Sequence, residues 1–222
     1  MSSPASAIER SDPRIVELVA AGSLEISPRE LHRAKDVATL LPAGSCVYIP
    51  SLPGLPLVRT LEAIAAIREA GLDPVPHVSA RRILNRNEFR DFLRRAAAEY
   101  GVHRVLLLGG DEPRPKGPYA DSLQILEERL LADCGVREIG IAGPTDPAAL
   151  LRYGQRCGVS VSLRALRNLG SSIAQLVTNT DPQDHLVAVA RYARREPSNV
   201  VGVHLYSFGG AVRTAAWMSE RL

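Results

Sequence analysis

Two carboxylic acids stand in or just after short apolar segments, where a carboxyl could take part in binding or catalysis. Glu25 lies within residues 23–27 (SLEIS), which alternate in polarity, and Asp111 follows the apolar run RVLLLGG at residues 104–110. Both segments read as strands, and ligands of parallel α/β folds bind beyond the carboxyl ends of the strands. Burial there raises the pKa of a carboxyl toward the working pH, which suits a general acid. The alternative roles are structural: a cap of the following helix for Glu25 and a cap of the following turn for Asp111.

Predicted strands and helices alternate along most of the chain. Strands are predicted at 23–27, 45–50, 74–79, 104–110, 137–143 and 199–208, and helices at 13–21, 29–40, 57–70, 88–100 (with Asn87 as its cap), 119–133 and 211–221. Between residues 146 and 195 only helices are predicted. This alternation is typical of a parallel sheet or barrel, but a complete eightfold barrel needs eight strands and about 250 residues. We therefore expect an incomplete TIM-barrel-like α/β fold of about six strands, in one domain spanning residues 1–222.

Composition excludes several classes of protein. Hydrophobic residues make up 45% of the chain and charged residues 23%, with a formal net charge of +3, as in an ordinary globular domain. The Arg residues are scattered and aromatic residues reach only 5%, so no nucleic-acid role is predicted. Cys46, Cys134 and Cys157 are too widely spaced for a zinc site or a disulfide framework, and His residues show no metal-ligand spacing. No apolar run approaches a membrane span, so we expect a cytoplasmic protein without a membrane partner.

Four strand ends together resemble the methylenetetrahydrofolate reductase family. The matching segments occur in family order: SLEISP at residues 23–28, PHVSAR at 76–81, LLGGD at 107–111 with YAD at 119–121, and VHLYSF at 203–208. The resemblance implies a barrel that holds FAD at the carboxyl ends of its strands. It also implies an oxidoreductase of one-carbon metabolism and methionine biosynthesis, which passes hydride from NAD(P)H through the flavin to 5,10-methylenetetrahydrofolate.

The resemblance also assigns residues. Glu25 matches the family's catalytic acid, which protonates the folate nitrogen so that the five-membered ring opens, and Asp111 matches the acid beside flavin and pterin. The resemblance implies cofactor contacts at the following positions: His77, Gly109, Gly110, Tyr119, Ala120, His204 and Tyr206. Other roles stay open for some of these residues. His77 could lie in the core or behind the residues that touch the cofactor, and Tyr119 could simply begin its helix. His204 and Tyr206 could have a structural or phosphate-side role.

The chain also departs from the family pattern. It lacks the family's Tyr-Pro-Glu-x-His turn after the fifth strand and the Thr-Gln that ends the sixth strand. It also lacks the cofactor-contacting Lys between these two motifs, and Gly109 stands where the family has an Arg. A deletion that joins the fifth strand to the region after the seventh accounts for these losses. Open strand edges would then need a cover, for which a homo-oligomer is one solution.

Three functions follow as hypotheses. The first is a flavin-dependent folate reductase with FAD and NAD(P)H. The second is a non-catalytic relative that binds a folate or nucleotide, or that regulates a full-length paralogue. The third is an enzyme of another class on the same scaffold, such as a pterin-dependent methyl transfer protein.

Overall fold

The computed structural model describes residues 12–110, 112–141, 202–207 and 210–222, together with the single positions 183, 186, 187, 189 and 190. Contacts divide the chain into two compact units, one joining Met1–Ala142 to Val201–Leu222 and the other formed by Gly143–Val200. The sheet, its helices and the site described below all belong to the first unit. The expectation of one domain over residues 1–222 stays a prediction.

The described strands form one parallel sheet in the order β5-β4-β3-β2-β1-β6. They are β1 (Ser23–Glu25), β2 (Cys46–Ile49), β3 (Asp73–Ser79), β4 (Arg104–Leu108), β5 (Glu138–Ile141) and β6 (His204–Leu205). The last strand pairs with the first, as in a barrel, while β5 and β6 stand at the two ends of the order. The sheet is thus a curled half-barrel, and the predicted incomplete TIM-barrel-like α/β fold is confirmed.

Helices connect the strands and pack on one side of the sheet. They are α1 (Pro13–Ala20), α2 (Ala34–Ala38), α3 (Leu57–Glu69), α4 (Arg86–Tyr100), α5 (Ser122–Glu127), α6 (Leu130–Asp133) and α7 (Ala211–Ser219), with 3-10 turns at Leu31–Arg33 and Ala80–Arg82. Within the described residues, no helix combines the length and the apolar character needed to cross a membrane.

The two faces of the sheet differ because side chains alternate along each strand. The helix-covered face carries apolar residues that are at most 1% exposed: Leu24, Val47, Ile49, Val105 and Leu107. Burying each such side chain contributes about 1.5–3 kcal/mol, so this layer fixes the sheet against its helices. The opposite face, called the inner face below, carries Ser23, Glu25, Cys46, Tyr48, Asp73, His77, Arg104, Glu138 and His204. Outward apolar positions therefore set the direction in which the polar ones point.

Two predicted helices have different ends. The cap of α4 is Asn85 rather than Asn87, because Asn85 has extended backbone angles and its Oδ1 accepts from the Glu88 N–H at 2.8 Å. The helix predicted at 119–133 is instead two short helices. Asp121 caps the first, and Arg129, whose φ of 53° is not helical, separates it from the second. Tyr119 therefore precedes the helix that was expected to begin with it.

Candidate active site

Strand register places the polar side chains of the inner face in rows. Ser23 is paired with Cys46 on one side and with His204 on the other, and Glu25 is paired with Tyr48. Paired residues of parallel strands point to the same face of a sheet. Side chains from the first, second and last strands therefore meet, although the last strand lies far from the others in sequence.

Glu25 lies between two imidazoles. Its Oε1 is 3.7 Å from Nε2 of His77, on β3, and 3.7 Å from Nε2 of His204, on β6. Both Nε2 atoms are buried and make no hydrogen bond, since 3.7 Å exceeds hydrogen-bond length. Buried polar atoms are nearly always hydrogen-bonded, so two such atoms facing one carboxyl make this cluster the candidate site.

A hydrogen bond between Ser23 and His204 orients the imidazole. The Ser23 Oγ lies 2.9 Å from Nδ1 of that ring. If Nδ1 carries the proton, it donates to Ser23 and leaves the Nε2 lone pair toward Glu25; if Ser23 donates, Nε2 carries a proton toward the carboxyl. In either form the ring is held so that Nε2 faces Glu25.

Burial keeps His77 neutral. Only 8% of this residue is exposed, and the loss of solvent lowers the pKa of His77 to about 4, while the nearby Glu25 opposes the shift and His204 adds to it. At neutral pH the ring therefore carries no charge. It can accept or donate a proton beside Glu25 without adding a fixed positive charge to the site.

Aromatic rings border the cluster. The Tyr48 ring centroid lies 5.8 Å from that of His77 and 4.5 Å from that of His204, and Tyr206 stands 4.9 Å from His204 on its other side. Tyr206 is itself 60% exposed. The sequence pointed to Tyr206 but not to Tyr48, because a Tyr within an apolar strand is typical of strand-forming residues. Only the strand register, which pairs Tyr48 with Glu25, shows that Tyr48 belongs to the cluster.

The loop after β4 lies at the same ends of the strands. Asp111 itself lies outside the described residues, so its proposed place beside Glu25 stays a prediction. Gly110 has φ +89°, which favours glycine, and the Gly109 carbonyl accepts from the Arg81 N–H at 3.1 Å. A Cβ at Gly109 would meet no atom of the described residues within 4 Å. Among those residues, Gly109 therefore leaves space beside its backbone.

The structure does not bring Tyr119 and Ala120 to this cluster of side chains. Tyr119 is only 1% exposed, its ring packs edge-on against Phe89 at 6.1 Å, and its hydroxyl donates to Glu128 Oε2 at 2.7 Å. The Ala120 N–H donates to Gln124 Oε1 at 2.6 Å, and its carbonyl accepts from the Arg81 Nε–H at 2.8 Å. These polar groups already have partners within the protein.

A second polar group occupies the amino ends of the strands. The Arg104 guanidinium donates to Cys46 Sγ at 2.7 Å and to Glu138 Oε2 at 2.7 Å, and Arg68 donates to Asp73 Oδ1 at 2.7 Å. Each of these charges has an opposite charge or a dipole as a partner, as expected of a structural network. It stands at the end of the sheet where ligands of this fold class do not bind.

Two cavities occur at opposite ends of the sheet. One of about 180 Å³ adjoins His77 and is bordered by the segment after β2, by Ser79 and by Arg82. A wider groove of about 640 Å³ lies beyond the end of α4, around His103 and Cys134. The smaller cavity adjoins the Glu25 cluster through His77, whereas no residue of that cluster lines the wider one. Among the described residues, no group of three or more His, Cys, Asp or Glu is arranged to hold a metal ion.

Comparison with known proteins identifies no family. No protein-family model matches the chain. In structure the chain is similar to dihydropteroate synthase from Thermus thermophilus, with 17% sequence identity and a TM-score of 0.36 over 90% of this chain and 92% of that one. A likeness at this identity and TM-score assigns no function.

Proposed function

We propose that the inner face is the active site of a folate-dependent oxidoreductase, which reduces 5,10-methylenetetrahydrofolate to 5-methyltetrahydrofolate with NAD(P)H. The observation that carries the proposal is the position of Glu25, a carboxyl 3.7 Å from the unbonded Nε2 atoms of His77 and His204. The substrate and the hydride donor come from the sequence resemblance. The geometry supports the part of the reaction that needs a proton.

In this proposal Glu25 acts as the general acid. Protonated Glu25 donates to the folate nitrogen, the bond from that nitrogen to the methylene carbon breaks with its electron pair left on nitrogen, and the methylene carbon becomes an iminium that can take a hydride. The remaining carboxylate lies beside two imidazoles, one of which, His77, is neutral at neutral pH. A proton can return to Glu25 through either ring, since general acids work by such transfers over short distances.

The residues fit a flavin at some of the implied positions. The Nε2 atoms of His77 and His204 have no hydrogen-bond partner, and Gly109 leaves space beside its backbone among the described residues. Tyr119 and Ala120 do not fit direct contacts, because their polar groups already bond to Glu128, Gln124 and Arg81. His77, His204 and Gly109 would thus hold the flavin, which would supply the transfer of hydride from NAD(P)H to the substrate.

The occupied polar groups of Tyr119 and Ala120 favour a second candidate. A relative that has lost the flavin could still bind a folate on the inner face, either without catalysis or as a regulatory partner of a full-length paralogue. This candidate keeps the role of the histidines as ligand contacts and gives up the hydride transfer.

One set of measurements separates the two candidates. The purified protein is mixed with FAD and its visible spectrum is recorded, NADH and then NADPH are added without oxygen, and binding of 5-methyltetrahydrofolate is followed by calorimetry. A flavin spectrum that bleaches supports the reductase. A colourless protein that binds the folate supports the second candidate, and a protein that binds neither ligand overturns both.

Glu25→Gln tests the assigned acid directly. The amide preserves the shape of the side chain but cannot deliver a proton, so folate reduction should fall by roughly 10²–10⁴-fold while reduction of the flavin by NAD(P)H is nearly unchanged. Glu138→Gln is the matched control, because it removes a carboxyl from the other end of the same face. Equal loss of both half-reactions in Glu25→Gln would mean that Glu25 is structural.

A further inference from the structure

Tyr48 lies opposite Glu25 in the sheet and touches both histidines of the cluster. It is paired with Glu25 across β1 and β2. Its ring meets His77 at 70° between the ring planes and His204 at 59°, at centroid distances of 5.8 and 4.5 Å. Tilted and edge-on contacts at such distances are attractive. A single side chain thus contacts both imidazoles that flank the carboxyl.

Little else fixes the orientation of His77. No side-chain hydrogen bond joins His77 to another described residue, and its Nε2 has only the 3.7 Å contact with Glu25. His204 has the bond to Ser23 in addition. A buried imidazole without hydrogen bonds takes its orientation from the side chains that pack on it, and Tyr48 is the aromatic ring that packs on His77.

We propose that Tyr48 is a positioning residue, whose ring aims the Nε2 atoms of His77 and His204 at Glu25 and shields His77 from water. The ring carries this role and the hydroxyl does not. Burial raises the pKa of the Tyr48 phenol, so at neutral pH the phenol is uncharged and adds no charge to the cluster. The value of this positioning for catalysis rests on the proposed function, but the positioning itself does not.

The surroundings of His77 allow the role to be isolated. Its charged and titratable neighbours on the inner face are Glu25 and His204, its partner on β4 is the apolar Leu106, and the adjoining cavity is also bordered by Arg82, Glu88 and Lys116. Substituting Tyr48 changes none of these groups. A change in the titration of His77 would therefore report the loss of the ring.

The test is the NMR titration of the His77 and His204 ring signals in Tyr48→Phe and Tyr48→Leu. The Phe variant keeps the ring, so both titration curves should match those of the unsubstituted protein. The Leu variant admits water, so the midpoint of His77 should rise by at least about one pH unit from its value of about 4 toward the ordinary 6.5. Tyr206→Leu is the matched control, because Tyr206 contacts only His204 of the two imidazoles: it should leave the His77 midpoint unchanged.

Two outcomes would overturn the proposal. One is a Leu variant, folded by circular dichroism, in which His77 titrates as before. The other is a Phe variant that shifts as far as the Leu variant, which would assign the effect to the hydroxyl. If Tyr48→Leu does not fold, Tyr48→Met replaces it under the same criteria. No ligand is needed for this readout, so a protein that fails to bind flavin or folate would refute the proposed function without affecting the result for Tyr48.

Discussion

Tyr119→Phe should destabilise the protein without removing a ligand contact. The substitution deletes the hydroxyl that donates to Glu128 Oε2 at 2.7 Å and keeps the ring that packs on Phe89. Hydrogen bonds to charged groups contribute about 1.5–3 kcal/mol. The Glu128 carboxylate is 24% exposed and keeps its ion pair with Arg86, so the loss should lie near the lower end, at about 1.5–2 kcal/mol.

Thermal unfolding at neutral pH measures this loss. For a chain of this size, about 1.5–2 kcal/mol lowers Tm by about 3–8 °C. Glu128→Gln is the comparison variant, since its amide oxygen still accepts from the hydroxyl and the loss should be smaller. An unchanged Tm, or a Phe variant that loses FAD binding while its stability is kept, would refute the reasoning and return Tyr119 to the cofactor contacts.

The same hydrogen bond has a signature at alkaline pH. Burial first, and the bond to Glu128 second, raise the pKa of Tyr119 to about 12 from its ordinary 10. Because the folded-state pKa is the higher one, this contribution to stability is fully present below pH 10 and is lost as the pH rises through 12. Ultraviolet absorbance of the tyrosinate form follows the titration, and the step near pH 12 should be missing in Tyr119→Phe.

Three further predictions concern other parts of the fold. The pKa of His77 is about 4 in the folded protein and 6.5 ordinarily, so the unfolded chain binds the proton first as the pH falls. About 3 kcal/mol of stability should therefore be lost between pH 6.5 and pH 4. In denaturant titrations, His77→Gln should flatten this dependence of stability on pH. Asn85→Ala should lower the stability by about 1 kcal/mol, because it removes the cap of α4. Asn87 is the second residue of that helix, so Asn87→Ala should change the unfolding midpoint little. Burial raises the pKa of the Cys46 thiol, and Arg104 opposes the shift. In a chain that also carries Cys134→Ser and Cys157→Ser, Arg104→Met should therefore move the pH profile of Cys46 alkylation to higher pH. An unmoved profile would contradict the contact between Arg104 and Cys46.

The sequence predicted the strands well because their signals are local. Apolar runs bounded by Pro and Gly located β2, β3 and β4. It also predicted that Glu25, His77, Asp111 and His204 would converge at one end of the sheet, because each was placed at or near the carboxyl end of a strand. Glu25, His77 and His204 do so, and Asp111 lies outside the described residues. These inferences need only the identity of nearby residues.

The parts that could not be predicted depend on distant contacts. Both Asn85 and Asn87 are suitable caps, and only the backbone angles decide between them. The break at Arg129 stands beside Glu128, which is held by Tyr119 and Arg86 from outside the helix. Tyr48 entered the site through its register with Glu25, which pattern and propensity do not encode.

The pairing of the first strand with the last has a consequence for how the protein is made. Ser23 and His204 are 181 positions apart, and their contact completes the cluster around Glu25. A growing chain can form β1 to β4 early, but the second imidazole arrives only after residue 204 has been synthesised. Contacts at such separation are slow to form, because a long loop must close first. A nascent chain that ends before residue 204 therefore holds Glu25 beside His77 without the second imidazole.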